Sequence, residues 1–388
     1  MIVYNFLFFG LNYYLMNFHN SKMDIGYKVD ENRYHRFDEK NHMIYRRLWD
    51  KSLSTYKQMF DKNIKDHINS SKEGYTRLDF AFVKAGWTVY EKFPFAFAWE
   101  DDSTNNQDYG TDWLKKKHKI KHIESFTNKI KLIAKSYGAS LVGIANVNNK
   151  WIYKTGFVRP RFVSEDKAKE EIRMGKLDDS SLEHPIEIPK EFNKVIVMAI
   201  EMDAKAIATA PAQPAAAAAS IAYSKMAFSI ACMGEFIRNL GYKAIQCGND
   251  TALSVPLAIE AGLGALGRIG ILITPEFGPR VRLCKVFTNI PLKSDEPDYG
   301  FIDKVKNTCQ SCYECADACE NDAISTLPDP KMKRSSISNN PGVKKYYVNV
   351  EKCFEFWIKN SSDCGACIAA CPFSRIKNHI EPSKFWKL

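Results

Sequence analysis

No histidine lies between Pro185 and Asn378, because all eight are His19, His35, His42, His67, His118, His122, His184 and His379. The most ligand-like part of the chain therefore lacks the usual general acid, and a proton donor there must be Tyr, Asp, Glu, Lys or Cys. A dinucleotide fingerprint is missing as well. Ile259 to Ile273 (IEAGLGALGRIGILI) holds Gly262, Gly264, Gly267 and Gly270, but not in the order strand, G-x-G-x-x-G, helix. Such glycines permit positive φ and close approach to a ligand. No helix-turn-helix, zinc-finger or RNA-reading signature accompanies the net charge of +10, so no nucleic acid partner is expected. The basic balance fits a solvated surface, an acidic electron-donor protein or an anionic membrane face. Lys115, Lys116, Lys117, Lys119 and Lys121 read as an exposed helix face. Residues 1–18 carry no charged side chain, yet they are too short and too rich in Asn and Tyr for a membrane-spanning helix. Residues 1–22 are read as a wrongly chosen start ahead of Met23, with a leader remnant or interfacial anchor as alternatives. No twin-arginine export signal precedes them, and Arg46-Arg47 leads into a charged stretch rather than an apolar one.

What the chain has in quantity is cysteine at its far end. Eight of the 11 cysteines form two groups: Cys309, Cys312, Cys315, Cys319 and Cys353, Cys364, Cys367, Cys371. The first has the C-x2-C-x2-C-x3-C spacing of bacterial ferredoxins, and the second keeps C-x2-C-x3-C with its leading cysteine further upstream. Zinc and a disulfide framework fit worse, since a C-x2-C-x2-C run wraps successive corners of a cubane. Cys371-Pro372 has the proline usual after a ferredoxin's last ligand, whereas Glu320 follows Cys319. In interleaved pairs the fourth cysteine of each run serves the other cluster. That assigns Cys309, Cys312, Cys315 and Cys371 to one [4Fe-4S] cluster and Cys319, Cys353, Cys364 and Cys367 to the second. A chain so equipped moves electrons one at a time. Cys232, Cys247 and Cys284 are read as buried free thiols.

At 388 residues, 45% of them apolar, the chain is long enough for two or three domains with a real core. Residues 23–130 are polar and dense in aromatics (Phe37, Trp49, Trp87, Phe93, Phe95, Phe97, Trp99), with amphipathic patches such as residues 78–83. Residues 128–137 read as a helix ended by Gly138, Ala139 to Val147 as a strand, and Val195 to Ile200 as a second, buried strand. Pro211 to Leu240 is the longest helical signal, opened by Pro-Ala-Gln-Pro and five alanines. Its bare Cβ atoms admit either close approach by another body or simple tight packing. Tyr223 on this helix, with Arg280 and Arg282 downstream, is the best-placed acid, because a neighbouring cation stabilises a phenolate.

The stretch YSKMAFSIACMGEFIRNLGYKAIQCGNDTALSVPLAIEAGLGALGRIGILITPEFGPRVRLCKVFTNIPL, followed by the double cysteine block, resembles the corrinoid-dependent reductive dehalogenases from about residue 195 to 380. A weaker likeness reaches back to YKVDENRYHRFDEKN. The resemblance implies an α+β protein, with a nitroreductase-like α/β cobalamin-binding core at residues 131–305 and a ferredoxin-like domain with two [4Fe-4S] clusters at residues 306–388. It implies reductive removal of halide from an organohalide, with electrons from an external low-potential donor. By the same resemblance Tyr223 is similar to the family's proton-donating tyrosine, Arg282 to the basic residue that holds its phenolate, and Asn249 to a polar active-site position. Trp357 and Trp87 look like substrate-pocket walls. Gly264, Gly267 and Gly270 would allow close approach to a base-off corrinoid or its tail, and the absence of a D-x-H-x-x-G motif agrees with a displaced base. Family resemblance implies membrane association, while the missing twin-arginine leader implies a cytoplasmic site. The rival readings are an epoxyqueuosine reductase-like enzyme, whose lineage relies on a carboxylate acid, and a non-catalytic ferredoxin-type carrier.

Overall fold

The computed structural model describes residues 26–58, 60–92, 117–157 and 183–387. The apolar segment 1–22, Lys115, Lys116, Phe93, Phe95, Phe97 and Trp99 lie outside the described residues. Six strands organise the fold: β1 (Lys28–Val29), β2 (Leu141–Asn146), β3 (Lys194–Glu201), β4 (Ala244–Cys247), β5 (Val281–Thr288) and β6 (Val343–Lys344). Four helices position the site: α1 (Arg77–Gly86), α2 (Ile123–Ser136), α3 (Gln213–Asn239) and α4 (Val350–Asn360).

The central sheet has four strands in the order β2-β3-β5-β4. Every pairing in it is antiparallel. Side chains alternate between its faces, as strand geometry requires. Ile144, Ile196, Met198, Ile200 and Val286 join the α3 side chains Ala222, Met226 and Ile230 in one core. Val195, Val197, Val281, Leu283 and Phe287 face a second core with the N-terminal aromatics Tyr27, Tyr34 and Phe37. Arg282 alternates with Val281 and Leu283, so it turns toward the α3 side of the sheet.

The strands at 139–147 and 195–200 form as the sequence suggests. The helix placed at 128–137 starts earlier, at Ile123, with Glu124 in its first turn, where the helix dipole favours an acid. Gly138 then takes φ +100° and ends the run. Residues 78–83 lie within α1, whose Thr76 and Asp79 close a reciprocal capping box. The body that approaches the alanines of α3 is α1 itself. Val83 packs on Ala216 and Ala217, and a Cβ on Gly86 would stand 2.1 Å from Ser220 Oγ. By length and composition α3 could cross a membrane, yet most of it is buried inside the molecule.

The C-terminal part follows β5. Helix Tyr299–Ser311 carries Cys309, the turn Glu314–Asp317 carries Cys315, α4 carries Cys353 and Trp357, and Ala366–Ala370 carries Cys367. The ribbon β1-β6 ties the N-terminal segment to this part, with Lys28 opposite Lys344 and Val29 opposite Val343. Cys247 and Cys284 are buried, whereas Cys232 is partly exposed.

Candidate active site and cluster-binding cysteines

Two cavities of about 350 Å³ and 450 Å³ adjoin one another beside α3 and β5. They share His42, Tyr153, Tyr223, Asn249 and Arg282. The first has apolar walls from Leu253, Val255, Ile259, Leu272, Val281 and Leu283. The second is walled by Trp87, Tyr90, Tyr45 and Trp357.

Tyr223 stands on α3 between them. Asn249 Nδ2 donates to its hydroxyl oxygen at 2.7 Å, and the Arg282 guanidinium lies 5.2 Å from its ring centroid. Trp87 stacks on the phenol at 4.8 Å and 26°, while Tyr90 meets it edge-on at 5.1 Å. Ring stacking limits the phenol's swing, so its hydroxyl stays beside the Asn249 amide. Arg282 Nη2 also reaches Asp363 Oδ2 at 3.5 Å, and Arg282 Nε is buried without a partner. Burial pushes the Asp363 carboxyl up to about 6, against the opposing pull of Arg282.

Asn249 rides on the turn after β4, and that turn is anchored by Lys285. The buried Lys285 ammonium donates to the Gly248 carbonyl at 2.6 Å, the Ala252 carbonyl at 2.9 Å and Ser254 Oγ at 3.0 Å. Tyr153 donates to the Asn249 carbonyl at 2.9 Å. Asp250, beside Asn249, accepts from the Gly248 amide and the Thr251 hydroxyl. Among the described residues no carboxylate lines the first cavity.

The predicted residues divide. Tyr223, Asn249 and Arg282 converge, Trp87 and Trp357 wall the second cavity, and Gly270 lines the first. Gly264 and Gly267 line neither cavity and serve the hairpin Ala265–Leu266/Leu272–Ile273 instead. At Gly264, with φ +157°, a Cβ would lie 2.1 Å from the Ile273 carbonyl oxygen. At Gly267 it would lie 2.5 Å from the Ile273 side chain. This turn by itself accounts for the lack of a side chain at both positions.

Sequence reasoning missed His42, Tyr153, Lys285 and Lys345. His42 corrects the expectation of a histidine-free site, since the N-terminal segment folds back to bring it against both cavities. Its Nδ1 accepts from the Ile44 amide. No signal within the sequence marks these four, because their partners are distant along the chain.

Cys309, Cys312, Cys315 and Cys371 line one small hollow with Arg268 and Ile269. Burial pushes the Cys315 thiol up to about 12, with Cys309, Cys371 and Cys312 adding to the effect. Around the second set, burial raises Cys353 to about 12, with Cys319 beside it. Cys367 is raised well above its ordinary value by burial, then by Cys353 and Cys364. Backbone amides already point at the sulfurs: Arg268 to Cys309 at 3.5 Å, Ala323 to Cys319 at 3.2 Å and Ala366 to Cys364 at 3.4 Å. Amide donors of this kind tune cluster potentials. Among the described residues no three His, Cys, Asp or Glu side chains converge tightly enough for a single ion. The buried Arg268 guanidinium donates to the carbonyls of Cys309, Ser325 and Leu327. It lies between the rings of Tyr313 and Tyr346, at 4.4 Å and 4.1 Å.

Residues 133–292 match a family model described as a reductive dehalogenase subunit, and residues 308–374 match one described as a 4Fe-4S dicluster domain. The tetrachloroethene reductive dehalogenase of Sulfurospirillum multivorans is 35% identical over 329 residues, covering 81% of this chain and 64% of that protein. The tetrachloroethene reductive dehalogenase of Desulfitobacterium hafniense is 34% identical over 311 residues, covering 74% of this chain and 54% of its own length. The chain thus spans between half and two thirds of these curated relatives. An epoxyqueuosine reductase of Listeria monocytogenes is 32% identical over 127 residues, or 31% of this chain and 29% of its own length. Among solved structures, the catabolic reductive dehalogenase NpRdhA superposes with a TM-score of 0.63 at 19% identity, covering 94% of this chain and 46% of the other.

Proposed function

Because the chain belongs to the reductive dehalogenase family, we propose that it replaces a carbon-halogen bond of an organohalide by carbon-hydrogen, with cobalamin in the first cavity and electrons arriving through two [4Fe-4S] clusters. The observation that carries this reading is the convergence of Tyr223, Asn249 and Arg282 where the two cavities join. Apolar walls, with Gly270 at one side, suit a large planar ligand. Buried polar atoms without partners, Tyr27 Oη, Asn340 Nδ2 and Arg282 Nε, fit a site that is completed by a polar guest. The eight cysteines have the chemistry of two cubanes, and three of their sulfurs already accept backbone amides.

Bound there, the corrinoid supplies reducing equivalents to the carbon-halogen bond, and the clusters supply them to the corrinoid. The chain's part is to hold the organohalide, exclude water and deliver one proton. Overall, two electrons and a proton convert R–X to R–H and halide. Trp87, Tyr90, Tyr45 and Trp357 offer the substrate π faces and apolar surface. Tyr223 donates its proton to the carbon that loses halide. The phenolate left behind keeps the Asn249 hydrogen bond and the Arg282 charge. The Asp250 oxygens accept hydrogen bonds from their own loop, and Asp363 is paired with Arg282, so both of these carboxylates are already partnered.

The test is anaerobic reconstitution with iron, sulfide and cobalamin, followed by measurement of halide release under a strong chemical reductant. Halide release that depends on cobalamin supports the reading. A chain with both clusters and bound cobalamin that releases no halide from chlorinated or brominated alkenes and arenes overturns it.

A further inference from the structure

The first cavity holds a group of hydrogen-bond donors that the proton-transfer chemistry leaves unused. Tyr27 and Asn340 are only 8% and 7% exposed, both line the cavity, and neither Tyr27 Oη nor Asn340 Nδ2 has a hydrogen-bond partner. Asn340 sits beside Tyr34, but the Tyr34 hydroxyl donates to the Lys150 carbonyl and the contact falls short of hydrogen-bond geometry. Extending the β1-β6 register by one pair puts Tyr27 opposite Lys345, on the same face of the ribbon. Lys345 lines the same cavity, and its ammonium lies 5.1 Å from the Tyr347 ring centroid. Burial pulls its pKa down to about 8. The other ionisable residues lining this cavity are His42, Tyr153, Tyr223 and Arg282, and none is a carboxylate. Buried donors without acceptors are costly, and one cation among them selects for an anion.

We propose that Tyr27, Asn340 and Lys345 form a phosphate subsite that holds the phosphodiester in the nucleotide tail of the bound corrinoid. The assignment rests on the cobalamin reading above and adds the part of the cofactor that is recognised. The side chains around a cobalamin's corrin ring are neutral amides, which offer donors as well as acceptors, and its tail phosphodiester is the one anionic group. A lysine cation beside two unpartnered groups that can each donate, Tyr27 Oη and Asn340 Nδ2, matches an anion better than it matches a neutral amide.

The test compares three corrinoids on the full chain with its clusters reconstituted: cobalamin, cobinamide, which lacks the tail, and cobinamide phosphate, which has the phosphate without the base. Binding is read from tryptophan fluorescence and the corrinoid spectrum, without turnover. Wild-type chain is expected to bind cobalamin and cobinamide phosphate about ten- to a hundredfold more tightly than cobinamide. Lys345→Met should remove most of that preference and leave cobinamide affinity unchanged. Tyr27→Phe, which deletes one oxygen, should remove part of it and serves if Lys345→Met does not fold. Equal weakening of all three corrinoids, or of none, overturns the subsite while the cofactor reading stands. Wild-type chain that binds none of them overturns both. Inorganic phosphate that displaces no corrinoid tail yet binds on its own at millimolar concentration would count against the tail and for a free-anion site.

Discussion

Asn249 gives its side-chain amide to the Tyr223 hydroxyl across 2.7 Å, so the donor meets the phenol oxygen and leaves its proton uncommitted. The bond strengthens as the oxygen becomes anionic, which is when catalysis needs it. Arg282, 5.2 Å from the same ring, acts in the same direction.

Tyr223→Phe is therefore expected to lower halide release by roughly 10²- to 10⁴-fold, the usual contribution of a positioned acid. Iron and cobalamin content should match wild type. Asn249→Ala should cost less, about ten- to a hundredfold, because the arginine remains. Unchanged turnover in Tyr223→Phe would remove the phenol from the mechanism.

Lys285→Met takes the only described donor from the Gly248 and Ala252 carbonyls and lets the Asn249 turn relax. Loss of about 2–4 kcal/mol of stability is expected from buried acceptors left without donors. Denaturant titration measures it, and an unshifted midpoint would show that the ammonium does not hold the turn. The same variant should lose activity at full cofactor occupancy, since it acts through Asn249.

The interleaved cluster assignment makes an additive test possible. Cys371→Ser alone and Cys371→Ser with Cys309→Ser should lose the same iron, about half of the roughly eight atoms two cubanes hold. Cys371→Ser with Cys353→Ser should lose nearly all. Iron analysis with electron paramagnetic resonance decides, and the reverse pattern would pair Cys371 with the other cysteine set.

For Lys345 the sign is set by its lowered pKa. The ammonium is present below about pH 8 and is lost above it, so affinity for a phosphate-bearing corrinoid should be steady at neutral pH and decline as pH rises through that value. Cobinamide affinity should stay flat over the same range. A parallel decline for both corrinoids would point to some other titrating group.

The cysteines were legible because ligand spacing is local chemistry, written in consecutive residues. The strands and helices of the core were legible for a similar reason: Val195 to Ile200 is an unbroken apolar run of strand length, and the α3 alanines favour helix whatever surrounds them. Tyr223, Asn249 and Arg282 came through family resemblance; the sequence alone offered only a tyrosine upstream of two arginines. Lys285 and Lys345 look like any lysines until the fold buries the first and turns the second toward a cavity. Gly264 and Gly267 show the converse error, since a glycine freed for a ligand and one freed for a hairpin carbonyl read identically. His42 shows that counting residue types within a stretch says little about a site assembled from elsewhere in the chain.

The β1-β6 ribbon joins a segment near residue 28 to one near residue 344, so the polar end of the cavity depends on contact between distant stretches of chain. Such pairings close late in folding because of the loop entropy they must overcome. A ribosome-bound chain that has not yet exposed Asn340 and Lys345 has no completed seat for the cofactor's tail. Tight capture of a phosphate-bearing corrinoid should accordingly wait until residues 340–345 are made, and a premature stop before residue 340 should yield a protein that does not favour such a corrinoid over cobinamide.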